Sequence, residues 1–333
     1  MKILFTGASS FTGMHFVHAM LKAGHEVHCT FSRASLFDYS SHEQNRISTF
    51  LQHTHNRFSS PFGSPFFFEE FKGKFDVLCL HGTKGQSAGH DTSDFDVMGA
   101  VLDNTWHASS VMEAAKKAGV KKVVLTGTYF EKWGGMLHSR SNCQPAKNTY
   151  ALSKTLTSDI IKFYCDEQDI TFAKFIISNP FGPYENNRFT TQAAMTWLSG
   201  KHYTVLFPDP IRDNIHVSIL AKCYAKFLMD NDDKILAPRG YQGSQGEFAL
   251  KFAKEMKPRL GVPCPLDFAV SHKNTSGMAD FRGNTTYPEE YLKQPDVIIN
   301  GENYKPNEWS EATAWNALAE YYKSIHKVYS GRV

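Results

Sequence analysis

The chain opens on an apolar triplet, Ile3-Leu4-Phe5, that passes directly into the small polar run Thr6 to Gly13. Continuous rather than alternating apolar residues mark a strand covered on both faces, and the small residues after it mark a tight loop. Helical spacing then runs to about Ala23, Gly24 stops it, and a second apolar segment covers Val27 to Phe31. The predicted unit is strand, glycine loop, helix, strand. Residues 34 to about 66 are polar, rich in Ser, His, Asn and Phe, and hold no clean period, so irregular chain around one or two short elements is expected. Order returns with strands over Phe75 to Gly82 and Val123 to Thr128, and between them helical spacing runs from Val101 to Ala118, with Gly119 as its stop. A further helix is predicted over Tyr150 to Glu167 and a further strand over Thr171 to Ile177.

Strands that alternate with helices, each strand apolar throughout, predict a doubly wound α/β fold, a parallel sheet with helices on both faces. Ligands of such sheets bind beyond the C-terminal strand ends, where Gly7 to Gly13, Leu80-His81-Gly82 and Thr126 to Thr128 all fall. Three loops are thus expected to share one crevice. After Asn179-Pro180 the chain turns richer in Pro and Gly, interrupted by a helical stretch at Val217 to Met229.

Composition narrows the class of partner. The 333 residues allow one elaborated domain or two smaller ones, and 41% hydrophobic with 21% charged residues fits a folded protein rather than a disordered one. Lys and Arg number 36 against 33 Asp and Glu, with no run of like charge, so nucleic acid is not an expected partner. Cys29, Cys79, Cys143, Cys165, Cys223 and Cys264 form no CxxC pair, which fits reduced thiols in a cytoplasmic protein. The opening apolar stretch is too short for a signal peptide and no segment reaches the length of a membrane span, so no membrane association is expected. The close histidine pairs His15/His18, His25/His28 and His53/His55 lack a third ligand at metal spacing, and no metal site is expected.

Candidate chemistry begins with the loop Thr6-Gly7-Ala8-Ser9-Ser10-Phe11-Thr12-Gly13, placed where a backbone can approach a pyrophosphate at a helix N-terminus. Its plainer reading is a small-residue turn. The middle glycine of a G-x-x-G-x-x-G loop is Ser10 here, which adds a side chain where close approach is wanted. The second strand ends in Phe31-Ser32-Arg33. An acid there would take the ribose 2′-hydroxyl of NAD, whereas an Arg pairs with a 2′-phosphate and Ser32 can donate beside it, so NADP(H) is favoured over NAD(H). A dinucleotide-binding (Rossmann) domain is expected over residues 1–180, with 208–236 returning to it, and a substrate-binding region over 181–207 and 237–333. Tyr150-Ala151-Leu152-Ser153-Lys154 puts a phenol and an ammonium on one helix face. An adjacent ammonium favours phenolate, and such a tyrosine can pass a proton to or from a carbinol oxygen. Any helix with surface Tyr and Lys can show this spacing, but Thr128, at a central strand end 22 positions earlier, offers a hydroxyl to the same oxygen.

The set resembles the extended short-chain dehydrogenase/reductases, the NAD-dependent epimerase/dehydratase family that acts on nucleotide sugars. Further matches run in order: Asn104 to Ala115 is similar to that family's N-V-x-G-T helix, Val123 to Thr128 to its hydroxyl-ending strand, Ser178-Asn179-Pro180-Phe181-Gly182-Pro183 to its N-x-Y-G-P loop, and Arg212-Asp213-Asn214-Ile215-His216-Val217 to its R-D-x-I-H-V segment. The resemblance implies Thr128, Tyr150 and Lys154 as catalytic residues, with Lys154 also on the nicotinamide ribose. It implies cofactor contacts from Gly7, Ser9, Ser10, Phe11, Thr12, Gly13, Ser32, Arg33, Leu80, His81, Gly82, Asn104, Thr126, Tyr150, Lys154 and Asn179. A nucleotide-diphosphate sugar is the implied substrate, with Thr128, Asn179, Arg188, Arg212 and Arg282 as candidate contacts and Arg239 as a further one. A homodimer through helices 101–118 and 150–167 is implied as well. Two departures stand out: no Asp for adenine is found within Arg57 to Pro65, and the family's double-alanine end of the fourth strand is His81-Gly82 here.

Within the family, sugar 4,6-dehydratases carry an Asp/Glu pair directly after the catalytic Thr. Here Tyr129 and Phe130 follow and Glu131 is the first acid, which disfavours dehydration. Arg33 tilts the choice toward an NADPH-dependent reductase of a 4-keto(-6-deoxy) sugar, and Thr126 to Trp133 resembles a segment of such reductases. The alternatives are a 4-epimerase with tightly bound NAD(P) and a non-catalytic NADPH-binding regulator on the same fold.

Overall fold

The computed structural model describes residues 1–84, 95–131, 145–230, 235–270, 283–293, 298–299, 302–303 and 309–329. Its strands are β1 (Lys2–Thr6), β2 (Glu26–Thr30), β3 (His55–Arg57), β4 (Val77–Leu80), β5 (Lys122–Thr128), β6 (Thr171–Ile177), β7 (Asn179–Phe181), β8 (Tyr203–Val205), β9 (Ile211–His216), β10 (Ile235–Leu236), β11 (Tyr241–Ser244), β12 (Leu266–Phe268), β13 (Ile298–Ile299) and β14 (Glu302–Asn303). Seven of them form a parallel sheet in the order β10-β6-β5-β4-β1-β2-β3. The predicted doubly wound α/β architecture is the observed one. The chain winds outward from β1 through β2 to β3, then returns to lay β4 on the other side of β1. The switch point therefore lies between β1 and β4, and such a sheet opens its ligand crevice there.

Helices cover both faces. On one face α1 (Phe11–Lys22) packs against α8 (Val217–Met229), with Phe16 and Tyr224 stacked at 4.0 Å between ring centroids. On the other lie α4 (Val97–Thr105), α5 (Ala108–Lys117) and α6 (Thr149–Glu167), with Val111, Met112 and Ile161 against Leu4, Leu78 and Val123. All four residues of β4 are buried, which explains the continuous apolar runs of the sequence. A third cluster, Trp197, Phe252, Trp315 and Tyr322, joins α7 (Phe189–Leu198), α9 (Gln245–Leu260) and α11 (Glu311–Tyr329). Beside it β11, β9 and β7 form a small sheet, while α8 and β10 pack on the main one.

Two readings of the sequence change. The helix expected over 101–118 is two helices, broken at Trp106 and His107, where His107 adopts φ +54. No glycine or proline announces that break. The Trp106 carbonyl fills the space beside Gly63, where a Cβ would come within 2.0 Å of it. The polar stretch after β2 is more ordered than its lack of period implied. It holds α2 (Ser41–Ser48), with a Ser40/Glu43 capping box, then β3 and α3 (Pro65–Glu70), with Ser64 as N-cap. An edge strand of three polar residues, His-Asn-Arg, carries no hydrophobic alternation to be read.

Candidate active site

A cleft of about 1030 Å³ opens beyond the C-terminal ends of β1, β2, β4 and β5. Of the residues singled out in the sequence, Gly7, Ser9, Ser10, Phe11, Thr12, Ser32, His81, Gly82, Asn104, Thr126, Thr128, Tyr150, Lys154, Asn179, Arg188 and Arg212 line it. Gly13, Arg33 and Leu80 do not, Arg239 lines a separate smaller cleft against Tyr287, and Arg282 lies outside the described residues. Gly13 has a packing role instead: a Cβ there would meet the Gly7 carbonyl at 2.2 Å. Gly7, at φ +80, lies so close to Gly82 that a Cβ would stand 2.4 Å from the Gly82 nitrogen. These glycines let the ends of β1 and β4 touch.

Ser10, standing at the loop's middle glycine position, and His81, at the end of β4, meet each other. His81 Nε2 lies 3.0 Å from Ser10 Oγ and 3.1 Å from Thr12 Oγ1, and its Nδ1 lies 3.0 Å from Thr126 Oγ1. The Ser10 hydroxyl already donates to the Gly7 carbonyl at 2.9 Å and caps α1 by accepting from Gly13 N–H at 3.0 Å. Its oxygen can only accept from the ring, so the imidazole proton sits on Nε2 and Thr126 donates to Nδ1. Burial drives the His81 pKa down to about 3, with Lys154 adding in the same direction. Although His81 borders the cleft, both ring nitrogens are engaged within the protein. Its neutral ring bridges the glycine loop to β5 while its edge faces the cleft.

Tyr150 and Lys154 occupy the first two turns of α6, whose N-cap Asn148 accepts from Ala151 N–H at 2.8 Å. Lys154 is buried, and its Nζ donates to the Thr126 carbonyl at 2.6 Å and to Thr83 Oγ1 at 3.5 Å. The Thr83 hydroxyl also hydrogen-bonds the Tyr150 phenol. Burial pushes the Tyr150 pKa up to about 12, with Glu131 acting in the same direction and Thr83 against it. Burial outweighs the effect expected of Lys154, and the phenol stays protonated. Burial also lowers the Lys154 pKa, while Glu131 opposes that.

Glu131 was read from the sequence only as the first acid after Thr128. It is fully buried beneath that residue, its Oε1 accepts from Thr128 N–H at 2.7 Å, and its Oε2 pairs with Lys174 of β6. Gly127 makes room for the pair: a Cβ there would stand 2.7 Å from Lys174 Cε and 2.9 Å from Glu131 Oε1.

At the far end of the cleft, Arg33 stacks on Tyr39 with its guanidinium 5.1 Å from the ring centroid and donates to the Asp38 carbonyl at 2.8 Å. Instead, Arg46 of α2 reaches the cleft. Its guanidinium donates to the Tyr184 carbonyl at 2.7 Å and Asn186 Oδ1 at 2.5 Å, and burial lowers its pKa to about 10. Ser60, Pro61, Phe62 and Trp106 wall the same end, where the sequence offered no acid for adenine. A polar stretch without period gave no signal for Arg46, Ser60, Pro61 or Phe62, and Trp106 sits at the unannounced break between α4 and α5. Near Thr128 the wall is Asn179, Arg188 and Arg212, and among the described residues neither arginine forms an ion pair.

A parallel sheet with its switch-point cleft facing a Tyr-x-x-x-Lys helix turn defines an enzyme of the extended short-chain dehydrogenase/reductase class, dependent on a nicotinamide dinucleotide. Residues 3–241 match the model of the NAD dependent epimerase/dehydratase family, and the chain belongs to that family. No curated protein sequence matches it. Among solved structures it is similar to UDP-glucose 4-epimerase of Thermotoga maritima, in complex with UDP-glucose, at 15% identity and TM-score 0.70 over 98% of this chain and 99% of that one. It is similar to UDP-glucuronic acid 4-epimerase of Bacillus cereus with UDP-glucuronic acid and NAD, at 17% identity and TM-score 0.68 over 98% and 100%. A third is UDP-N-acetylglucosamine 4-epimerase of Methanobrevibacter ruminantium, at 15% and 0.67 over 97% and 98%. At these identities the likeness is one of fold.

Two outcomes follow from the buried groups. An unfolded imidazole takes a proton near pH 6.5, the folded His81 only near 3, so between those values the unfolded state binds more protons and stability falls as pH drops. Burial holds His15, His25 and His216 low as well, so the wild type should lose stability in several increments. Thermal melts of His81→Gln should show a shallower loss between pH 6.5 and 4, and an unchanged slope would rule out the neutral bridge. Glu131→Gln leaves the Lys174 ammonium, 13% exposed, without its partner, which should lower stability by roughly 3–5 kcal/mol. Adding Lys174→Met should recover part of that loss in urea titrations, and strict additivity would show the pair to be uncoupled.

Proposed function

We propose that the protein inverts C4 of a nucleotide-diphosphate hexose, using a dinucleotide that it retains through the cycle. The observation that carries this reading is the withdrawal of Arg33, the residue expected to hold the 2′-phosphate of a dissociable NADPH, to Tyr39 and Asp38 outside the cleft. The fold likeness to three UDP-sugar 4-epimerases supports it.

The residues present fit a dinucleotide. The N–H groups of Phe11 and Thr12 open α1 without intrahelical acceptors, and Gly7 with Gly82 leaves the wall beside them bare of side chains. When bound, the dinucleotide supplies a hydride acceptor and donor. Ser32 and the Ser60 to Phe62 wall would hold its adenosine end, Asn104 and Lys154 the other. Tyr150 would take the C4 hydroxyl proton as the alcohol becomes a ketone and return it as the ketone is reduced from the opposite face. The phenol must therefore ionise, and Lys154, a buried ammonium one turn away, would supply the compensating charge once ligands enclose the site. Thr128 would hydrogen-bond the same oxygen. Arg188 and Arg212, which form no ion pair among the described residues and line the cleft near Thr128, suit the diphosphate, whose two charges a guanidinium fork can grip. Glu131, the acid beside Thr128, is committed to Lys174 and to the Thr128 N–H, and among the described residues no other acid lines the cleft next to Thr128, which supports the reading against dehydration. Met98 and Leu102 of α4 and Leu152 and Phe163 of α6 leave apolar surface exposed, which supports a homodimer through these helices.

A second reading, NADPH-dependent reduction of a 4-keto sugar, is favoured by the protonated state of Tyr150, which suits a proton donor. One experiment separates the two. Protein denatured after purification should release NAD, and the intact protein, with no cofactor added, should interconvert UDP-hexose C4 epimers by NMR. Tyr150→Phe should lower that turnover at least about 100-fold with the fold intact. Release of no dinucleotide, with NADPH consumed only when a 4-keto sugar is supplied, would replace the first reading by the second. Dinucleotide binding with neither activity would leave a regulator.

A further inference from the structure

Outside the cleft, the far edge of the sheet collects groups that neither reading uses. Glu26 and His28 alternate on β2 and so share one face, and His55 on β3 is the register partner of His28. The two imidazoles stack at 4.3 Å between centroids, inclined by 23°. Glu26 Oε1 lies 2.8 Å from His28 Nε2 and 3.6 Å from His55 Nε2, and one ligand atom from each residue falls within 4.8 Å of the other two. The sequence pairs histidines by nearness along the chain, whereas the sheet pairs them across strands and adds the carboxylate.

We propose that Glu26, His28 and His55 form a binding site for a divalent transition metal of the zinc class, with water completing the coordination. Donors around a tetrahedral zinc, each at about 2.0–2.1 Å from the ion, lie roughly 3.4 Å apart, which the cluster can reach by side-chain adjustment. Two imidazoles and one carboxylate select zinc and its neighbours over magnesium or calcium, which take oxygen ligands. A supporting shell is in place: Glu70 Oε2 lies 3.6 Å from His28 Nδ1, the nitrogen that faces away from the cluster, and is itself held by Arg57. A carboxylate behind a histidine fixes the ring and raises its basicity as a ligand. Lys2 stands 3.0 Å from Glu26 Oε1 and competes with the ion for it. His55 and Glu26 are about two-thirds and half exposed, so the ion has an entry path and room for its waters.

The site's position gives it a consequence. β3 ends the sheet, is three residues long and bonds to β2 alone, and the chain just beyond it supplies Ser60, Pro61 and Phe62 to the cleft wall. An ion shared by β2 and β3 would fasten that wall by a bond no backbone ladder provides. Calorimetric titration of chelator-treated protein with zinc chloride should give one saturable site with a dissociation constant on the order of micromolar, and a higher thermal midpoint with zinc than without. Cobalt should give visible absorption of a site containing nitrogen ligands. His55→Asn, exposed and away from the core, should melt at the metal-free wild-type temperature yet bind zinc at least about 10-fold more weakly, and Glu26→Gln should do likewise. Magnesium should give no heat. Absence of saturable zinc binding below millimolar, or equal affinity in His55→Asn, would overturn the assignment. Neither result depends on the activity of the cleft.

Discussion

The neutral imidazole of His81 is the constraint on which the cleft depends. It binds Ser10 and Thr12 of the glycine loop through one nitrogen and Thr126 of β5 through the other, with Phe5 and Phe16 against its ring. A charged ring could not sit there, since burial in an apolar surround penalises the ion and Lys154 stands nearby. A ring with one donor and one acceptor can serve hydroxyls on both sides at once. The serine that replaces a glycine in the loop is therefore tolerated because its side chain turns inward to cap α1 and receive His81, leaving the outward backbone open. Gly82, next along, completes the arrangement by allowing β4 to approach Gly7. Ser10 and His81-Gly82 are one solution to the same packing problem.

That solution places Thr126 as an electrostatic junction. Its hydroxyl serves His81, its carbonyl takes the Lys154 ammonium, and two residues on Thr128 hangs from Glu131 by its own N–H. Charges are thus layered from the cleft downward: ammonium at the wall, carboxylate below, and Lys174 beneath that. Glu131 acts on Tyr150 and Lys154 alike by raising both, which favours the protonated phenol and the charged amine. Gly127 is demanded by this buried pair, not by backbone conformation, because a methyl group would collide with both members.

The central sheet was legible because its inner strands are buried on both faces and because α1 and α5 run into Gly24 and Gly119. β6 and α8 run between the residues their apolar runs indicated. Thr128, Tyr150 and Lys154 were legible as types at a spacing, and the sheet brings them to one cleft. The wall beyond β2 was not legible. A three-residue polar edge strand has no period, a capping box can hold a short helix without an apolar face, and Arg46 on that helix reads as an ordinary surface charge. The surroundings of Arg33 were not legible for a related reason: sequence gives its place at a strand end but not the aromatic ring on which it stacks. Glu131 and Lys174 are 43 positions apart, and only strand pairing makes them partners.

The unread segment nonetheless decides how the cleft closes. Arg46 stands on α2, inserted between β2 and β3, yet its donors go to Tyr184 and Asn186 in the loop before α7 and, at 3.5 Å, to the Ser9 carbonyl. A buried guanidinium is stable only with its donors satisfied, so the loop must keep its carbonyl and amide oxygens turned toward α2. The same loop is pinned from inside by Glu185, which accepts from Gly182 N–H, Thr190 and Thr191 and is raised by burial to a pKa of about 7. Between these two anchors the chain delivers Arg188 to the cleft at the start of α7. The arginine proposed for the diphosphate is thus aimed by a second arginine that touches the glycine loop. Any movement of α2 relative to β1 would be felt where the sugar nucleotide is expected to lie.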